Sequence, residues 1–191
     1  MKLKEVASSL RLEIVKMSNR AKAPHLASSL SCIDIVITLY EKVLKTFPKK
    51  PNNPLRDRFI LSKGHAATSL YVTLAHKGFF PKKDLLNYTK KGSLFEEHPN
   101  PSINGVETAT GSLGHGLPVG CGMSLSAKIK KKKYKTVVLL GDGECNEGTI
   151  WEAAMFASSK KLDNLYIVID QNGWQGIGKT KDILNIKLLK E

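Results

Sequence analysis

Apolar side chains at Leu3, Val6, Leu10, Ile14 and Met17 recur every three or four positions, the period of a helix with one buried face, and the pattern breaks at Ala23-Pro24. A second helix is expected at Ser31, with Asp34 three residues on in the manner of a capping box and Ile37, Tyr40 and Leu44 along one face. Lys49 to Pro54, rich in Pro and Asn, reads as a loop. Phe59-Ile60-Leu61 is a short buried strand, and Ser69 to Lys77 a helix stopped by Gly78. From Gly92 to Gly120 there is little periodicity. Six glycines and three prolines fall in that stretch, the composition of a long functional loop wrapped around a ligand.

The best-defined unit follows. Thr136 to Leu140 is a β-rich apolar run, Thr149 to Lys160 a helix and Leu165 to Asp170 a second apolar run, together a β-α-β crossover of about 30 residues. Such units build parallel sheets, so the expected fold class is α/β, a parallel sheet flanked by helices. A chain of 191 residues without an internal repeat or a composition break is expected to be one domain, 1–191.

Composition narrows the function classes. Hydrophobic residues at 41% and charged residues at 25% exclude a disordered, collagen-like or coiled-coil chain. No apolar run approaches the ~18 residues of a membrane span. The first segment carries Arg11, Glu13 and Lys16 where a signal peptide has an apolar heart, so a cytoplasmic location is expected. Cys32, Cys121 and Cys145 are odd in number and lack metal-type spacing, which suggests packing roles. With 30 basic and 17 acidic residues the net charge is +13, and six of the eight residues from Lys128 to Lys135 are lysine. A nucleic-acid surface is one reading of that run. A solvated helix end is the simpler one, because lysine at a helix C-terminus meets a favourable dipole and no aromatic residues interleave it.

The candidate chemistry lies at the strand ends. Gly141-Asp142-Gly143-Glu144 follows the first strand of the crossover and Asp170-Gln171-Asn172-Gly173 the second. In open α/β sheets ligands bind outside the carboxyl ends of the strands, so Asp142 and Asn172, 30 residues apart, can converge. A carboxylate and an amide carbonyl are hard oxygen donors suited to Mg²⁺, which completes its shell with phosphate oxygens and water. The glycines beside Asp142 let the backbone approach a phosphate, and the helix near Thr149 points its positive end there. The physical reading is a magnesium diphosphate site.

The wording GDGECNEG to DQNGW resembles the thiamine-diphosphate binding motif in its transketolase version. Arg56 to Phe80, RDRFILSKGHAATSLYVTLAHKGFF, is similar to the transketolase segment that sets a histidine against the cofactor, and Thr110 to Gly116, TGSLGHG, to its cofactor-contacting loop. The likeness runs from the first helix to about Leu184. It implies the thiamine-diphosphate-binding fold and the amino-terminal, diphosphate-binding half of a transketolase-group enzyme.

Carried over residue by residue, the resemblance makes Asp142 and Asn172 side-chain ligands of Mg²⁺ and Trp174 a ligand through its carbonyl. Gly143 contacts the diphosphate, Asn172 the cofactor as well as the metal, and Gly111, Ser112 and Leu113 the aminopyrimidine side. His65 bonds the cofactor, His25 and His98 stand where family histidines meet the sugar, and Glu147 matches a glutamate near the subunit contact. The three histidines are the catalytic candidates, since imidazole donates or accepts protons near neutral pH. The implied reaction transfers a two-carbon ketol unit from a ketose phosphate to an aldose.

This sequence also departs from the family pattern. His25-Leu26-Ala27 replaces HPG, Glu97-His98-Pro99-Asn100 replaces GHPE, and His115 stands for a common glutamine. The family's domain continues beyond the point where this chain stops, and the glutamate that activates the aminopyrimidine ring lies in its second domain. The resemblance therefore implies a shortened domain, inactive alone, completed in an oligomer by a C-terminal-type subunit carrying the pyrimidine-binding domain. One rival motif remains: Gly173 to Thr180 satisfies the P-loop pattern G-x-x-x-x-G-K-[ST], the mark of a nucleotide-binding protein.

Overall fold

The computed structural model describes residues 2–184. Helix α1 (Leu3–Ala21) follows the apolar period read above, and Ile14 and Met17 on its inner face are fully buried. Each such side chain contributes about 2 kcal/mol relative to exposure. Helix α2 (Leu26–Thr38) starts directly after His25, ahead of the start expected at Ser31, and runs on through one π turn over Leu39–Val43. Ser31 is inside the helix and caps nothing. Its hydroxyl instead donates to Asp170, at 3.0 and 2.8 Å.

Three parallel strands form the sheet in the order β1 (Arg58–Leu61), β2 (Thr136–Gly141), β3 (Leu165–Asp170). Phe59 lies opposite Val137, Val138 opposite Ile167, and Gly141 opposite Asp170. Helix α3 (Ala67–Lys77) ends at Gly78, whose φ of 83° gives the left-handed cap expected of it. Helix α4 (Gly116–Ile129) departs from the expectation of a loop running to Gly120. Gly116, Pro118, Gly120 and Gly122 are poor helix formers, and burial of Leu117, Cys121 and Ser124 overrides them. Helix α5 (Gly148–Ser159) bridges β2 and β3 as the crossover pattern requires.

Because side chains alternate along a strand, β1 and β2 feed two cores. Phe59, Leu61, Val137 and Leu139 pack against α1, α2 and α3, while Ile60, Val138 and Leu140 pack against α4 and α5. At the amino end of the sheet the buried Asp57 accepts from the Lys45 N–H on Oδ2 and the Lys135 N–H on Oδ1, each at 2.8 Å. The lysine run starts in the last turn of α4 and continues to that same end, with Lys128 donating to the Lys161 carbonyl and pairing with Asp163. Beyond β3 the chain forms a two-stranded hairpin, β4 (Trp174–Gln175) with β5 (Gly178–Lys179), and a single turn α6 (Thr180–Ile183). Among the described residues no helix is long and apolar enough to cross a membrane.

Candidate active site

A cavity of about 760 Å³ opens at the carboxyl ends of the strands. Of the candidate residues, His25, His65, His98, Gly111, Leu113, Asp142, Gly143, Asn172 and Trp174 line it. Ser112 does not; it is exposed, on a turn that leads away toward α4.

Three separate segments deliver the histidines. His25 immediately precedes α2 with φ 67° and ψ 15°, a left-handed conformation that costs a non-glycine residue about 1–2 kcal/mol. His65 sits in the 3₁₀ turn Gly64–Ala66 after β1, and His98 in the long loop, where the Tyr71 hydroxyl donates to its carbonyl at 2.7 Å. Ring centroids lie 5.7 Å apart for His25 and His65 and 6.1 Å apart for His25 and His98. The loop carrying Gly111 lies tightly against this cluster. A Cβ at Gly111 would stand 2.6 Å from His98 Cδ2, and one at Gly64 would stand 2.5 Å from the Thr110 carbonyl. Burial pushes the His65 pKa down to about 4, and positive charge at Lys63, His25 and His98 acts in the same direction. His65 is therefore a neutral imidazole at pH 7, able to accept a proton at one nitrogen and donate from the other.

The floor is built from carboxylates. Asp142, 2% exposed, accepts the Gly143 N–H (3.0 Å) on Oδ1, and the Gly173 N–H (3.0 Å) and Thr180 hydroxyl (2.6 Å) on Oδ2. Asn172 Oδ1 accepts the Trp174 N–H at 2.8 Å, so the turn after β3 closes over Asp142. Among the described residues Asp142 has no Lys, Arg or His partner. A buried carboxylate without a cation, an amide oxygen and a neighbouring carbonyl make a hard-oxygen set that fits Mg²⁺. Among the same residues no group of three or more His, Cys, Asp or Glu is placed to hold a softer metal.

Sequence reasoning passed over Glu144, Lys63 and Asp170. Glu144, 2% exposed, accepts from the Ser62 hydroxyl, the Gly114 N–H (2.9 Å) and the Gly141 N–H (3.2 Å), pinning the Gly111–Gly114 loop to β1 and β2. Lys63, also 2% exposed, pairs with Asp170 at 2.6 Å. Glu144 lies inside the GDGE motif and Lys63 inside SKGHA, but their partners stand 82 and 107 positions away. A charged residue flanked by small buried ones was the available signal.

Residues 3–188 match the family model described as transketolase, thiamine diphosphate binding domain. The chain belongs to the transketolase family. It is 42% identical over 181 residues to one of the subunits of the apulose-4-phosphate transketolase of Phocaeicola vulgatus, covering 95% of this chain and 64% of that one. It is 42% identical to human transketolase over 171 residues, 89% of this chain and 27% of that one. The Campylobacter jejuni transketolase crystal structure superposes with a TM-score of 0.92 at 33% identity, over 98% of this chain and 31% of that chain. This transketolase-family chain thus spans under two thirds of its Phocaeicola relative, and less than a third of the human and Campylobacter enzymes.

In this transketolase-family domain the rival P-loop motif has a different shape. Gly173 to Thr180 folds as the β4–β5 hairpin, its lysine lies 5.8 Å from the Trp174 ring, and among the described residues only the single turn of α6 follows. A P-loop requires a strand, a phosphate-wrapping loop and a helix able to present its N-terminus. Thr180 instead serves Asp142. The exposed Glu147 leads into α5, His115 is exposed with Nδ1 near the Leu113 carbonyl, and His76 lies 3.5 Å from Glu41 on the surface.

Proposed function

We propose that this chain is the diphosphate-binding half of a transketolase-type enzyme, holding thiamine diphosphate with Mg²⁺ and transferring a two-carbon ketol unit between sugar phosphates. The observation that carries this reading is the meeting, in one cavity, of the Asp142–Asn172 turn and the three-histidine cluster. The names of its relatives agree, two of them being separate subunits of an apulose-4-phosphate transketolase. They also support a partner chain for this one, here a subunit that carries the pyrimidine-binding domain, in an oligomer working in the cytoplasm.

Asp142, Asn172 and the Trp174 carbonyl would hold the metal, Gly143 the diphosphate, and Gly111, Ser112 and Leu113 the aminopyrimidine side. Thiamine diphosphate, when bound, supplies the carbon chemistry for breaking and making the carbon–carbon bond. The chain's own residues orient the sugar and move protons. Neutral His65 contacts the cofactor, and His25 and His98 face the sugar from the opposite wall, offering donors to its hydroxyls. The left-handed backbone at His25 is strain held at a site of function.

Calorimetric titration with thiamine diphosphate, with and without Mg²⁺, tests the reading. Binding that requires Mg²⁺ and falls by at least about 100-fold in Asp142→Ala is expected, since a lost metal ligand removes more than an outer-shell partner does. Binding of ATP in place of thiamine diphosphate overturns it.

A further inference from the structure

We infer that Lys63 is a positioning residue for the metal end of this site, acting through Asp170 on the side-chain amide of Asn172; the inference rests on the cofactor reading above. Lys63 follows β1 and Asp170 closes β3, so their 2.6 Å pair spans the two strands that flank β2 and its Asp142. Both are buried, at 2% and 5% exposure. The Asp170 oxygen that receives Lys63 also accepts Asn172 Nδ2 at 3.3 Å, and Ser31 from α2 donates to both carboxylate oxygens.

A side-chain amide has a donor end and an acceptor end of nearly the same shape, and its neighbours decide which way it points. An ionised carboxylate only accepts. Asp170 therefore selects the NH₂ end of Asn172 and turns Oδ1 toward the Trp174 N–H and the turn that closes over Asp142. Reversed, the amide would aim two N–H donors at a cation. Among the described residues Lys63 is the cationic partner of Asp170, and a buried carboxylate keeps such a geometry only while its charge is compensated. Ser31 adds a second restraint and ties α2, the helix that begins just after His25, to the same carboxylate.

Lys63→Met alone leaves Asp170 buried and unpaired and costs stability. The informative variant is Lys63→Met/Asp170→Asn, which removes both charges together and puts at position 170 an amide that donates as well as accepts. Two readouts are made on the chain: the side-chain amide signals in a ¹H–¹⁵N spectrum, with the Asn172 pair assigned by its loss in Asn172→Ala, and the Mg²⁺ affinity by calorimetry at saturating thiamine diphosphate. In the double variant the Asn172 pair moves toward free-amide positions and Mg²⁺ binds about 10- to 100-fold more weakly, the cost of losing an outer-shell partner. The melting temperature stays near wild type. A wild-type Asn172 signal, or wild-type Mg²⁺ affinity, in the double variant overturns the positioning role while leaving the cofactor reading intact. A wild-type chain that binds no thiamine diphosphate at any Mg²⁺ concentration overturns both.

Discussion

The floor and the wall of the cavity are made to opposite specifications. On the floor, Glu144 and Asp142 each receive three donors from different segments. On the wall, the rings of His25, His65 and His98 make no hydrogen bond to the described protein; His25 has only Glu97 at 3.9 Å. Satisfied buried groups hold shape, because leaving any one unpaired costs the whole desolvation of that group. Imidazoles left open at the edge of a cavity keep their donors and acceptors for a ligand. One cavity thus combines a rigid base with a chemically free face.

Substitution can break that contrast, most strongly at Glu144. Glu144→Ala leaves the Ser62 hydroxyl and the Gly114 and Gly141 N–H groups without an acceptor, and a loss of about 3 kcal/mol or more is expected in urea unfolding. A loss below about 1 kcal/mol would make the floor no more structural than an ordinary surface. The wall behaves in the opposite sense. His25→Gly relieves the left-handed backbone, so stability is unchanged or rises by up to about 1 kcal/mol, while binding of a sugar phosphate to the cofactor-loaded complex weakens. A His25→Gly chain that unfolds more easily would count His25 with the floor.

The smallest effect is a slope with pH. His65 takes up its proton near pH 4 in the fold and near 6.5 when unfolded. The unfolded chain therefore binds the proton first as acid is added. The His65 contribution is complete above pH 6.5 and is lost as pH falls toward 4. Urea midpoints at pH 7 and pH 5 should fall further apart in wild type than in His65→Gln. Equal drops in the two proteins would show that burial of His65 is too shallow to matter.

Much of this was legible in the chain. The β2-α5-β3 unit was readable because its apolar runs are unbroken and glycine turns follow both strands, and those turns brought Asp142 and Asn172 to one cavity. Helix α4 was hidden by its own glycines and proline, whose low propensity is offset by contacts that only the folded chain makes. Ser31 misled for a related reason: the S-x-x-D spacing imitates a cap, yet the hydroxyl is used by a carboxylate 139 positions away. Lys63, Asp170 and Glu144 could not be assigned partners because nothing in their neighbourhoods states which distant segment they meet. Local physics gives the elements; long-range polar pairing appears only once they are assembled.

The two-sided burial of β1 and β2 has a bearing on how the chain finds its fold. A strand with one wet face resists slipping by a residue, because the slip would drive its polar set into the core. β2, apolar on both faces and buried at every position, has no such safeguard, since Val138 and Leu139 would trade places at little cost in hydrophobicity. Alignment must come from its ends. Asp57 grips the Lys135 N–H at one end, and Glu144 draws in Ser62 and Gly141 at the other. These two carboxylates act as index marks that make a slipped pairing expensive, so the group shaping the cavity floor also proofreads the sheet beneath it.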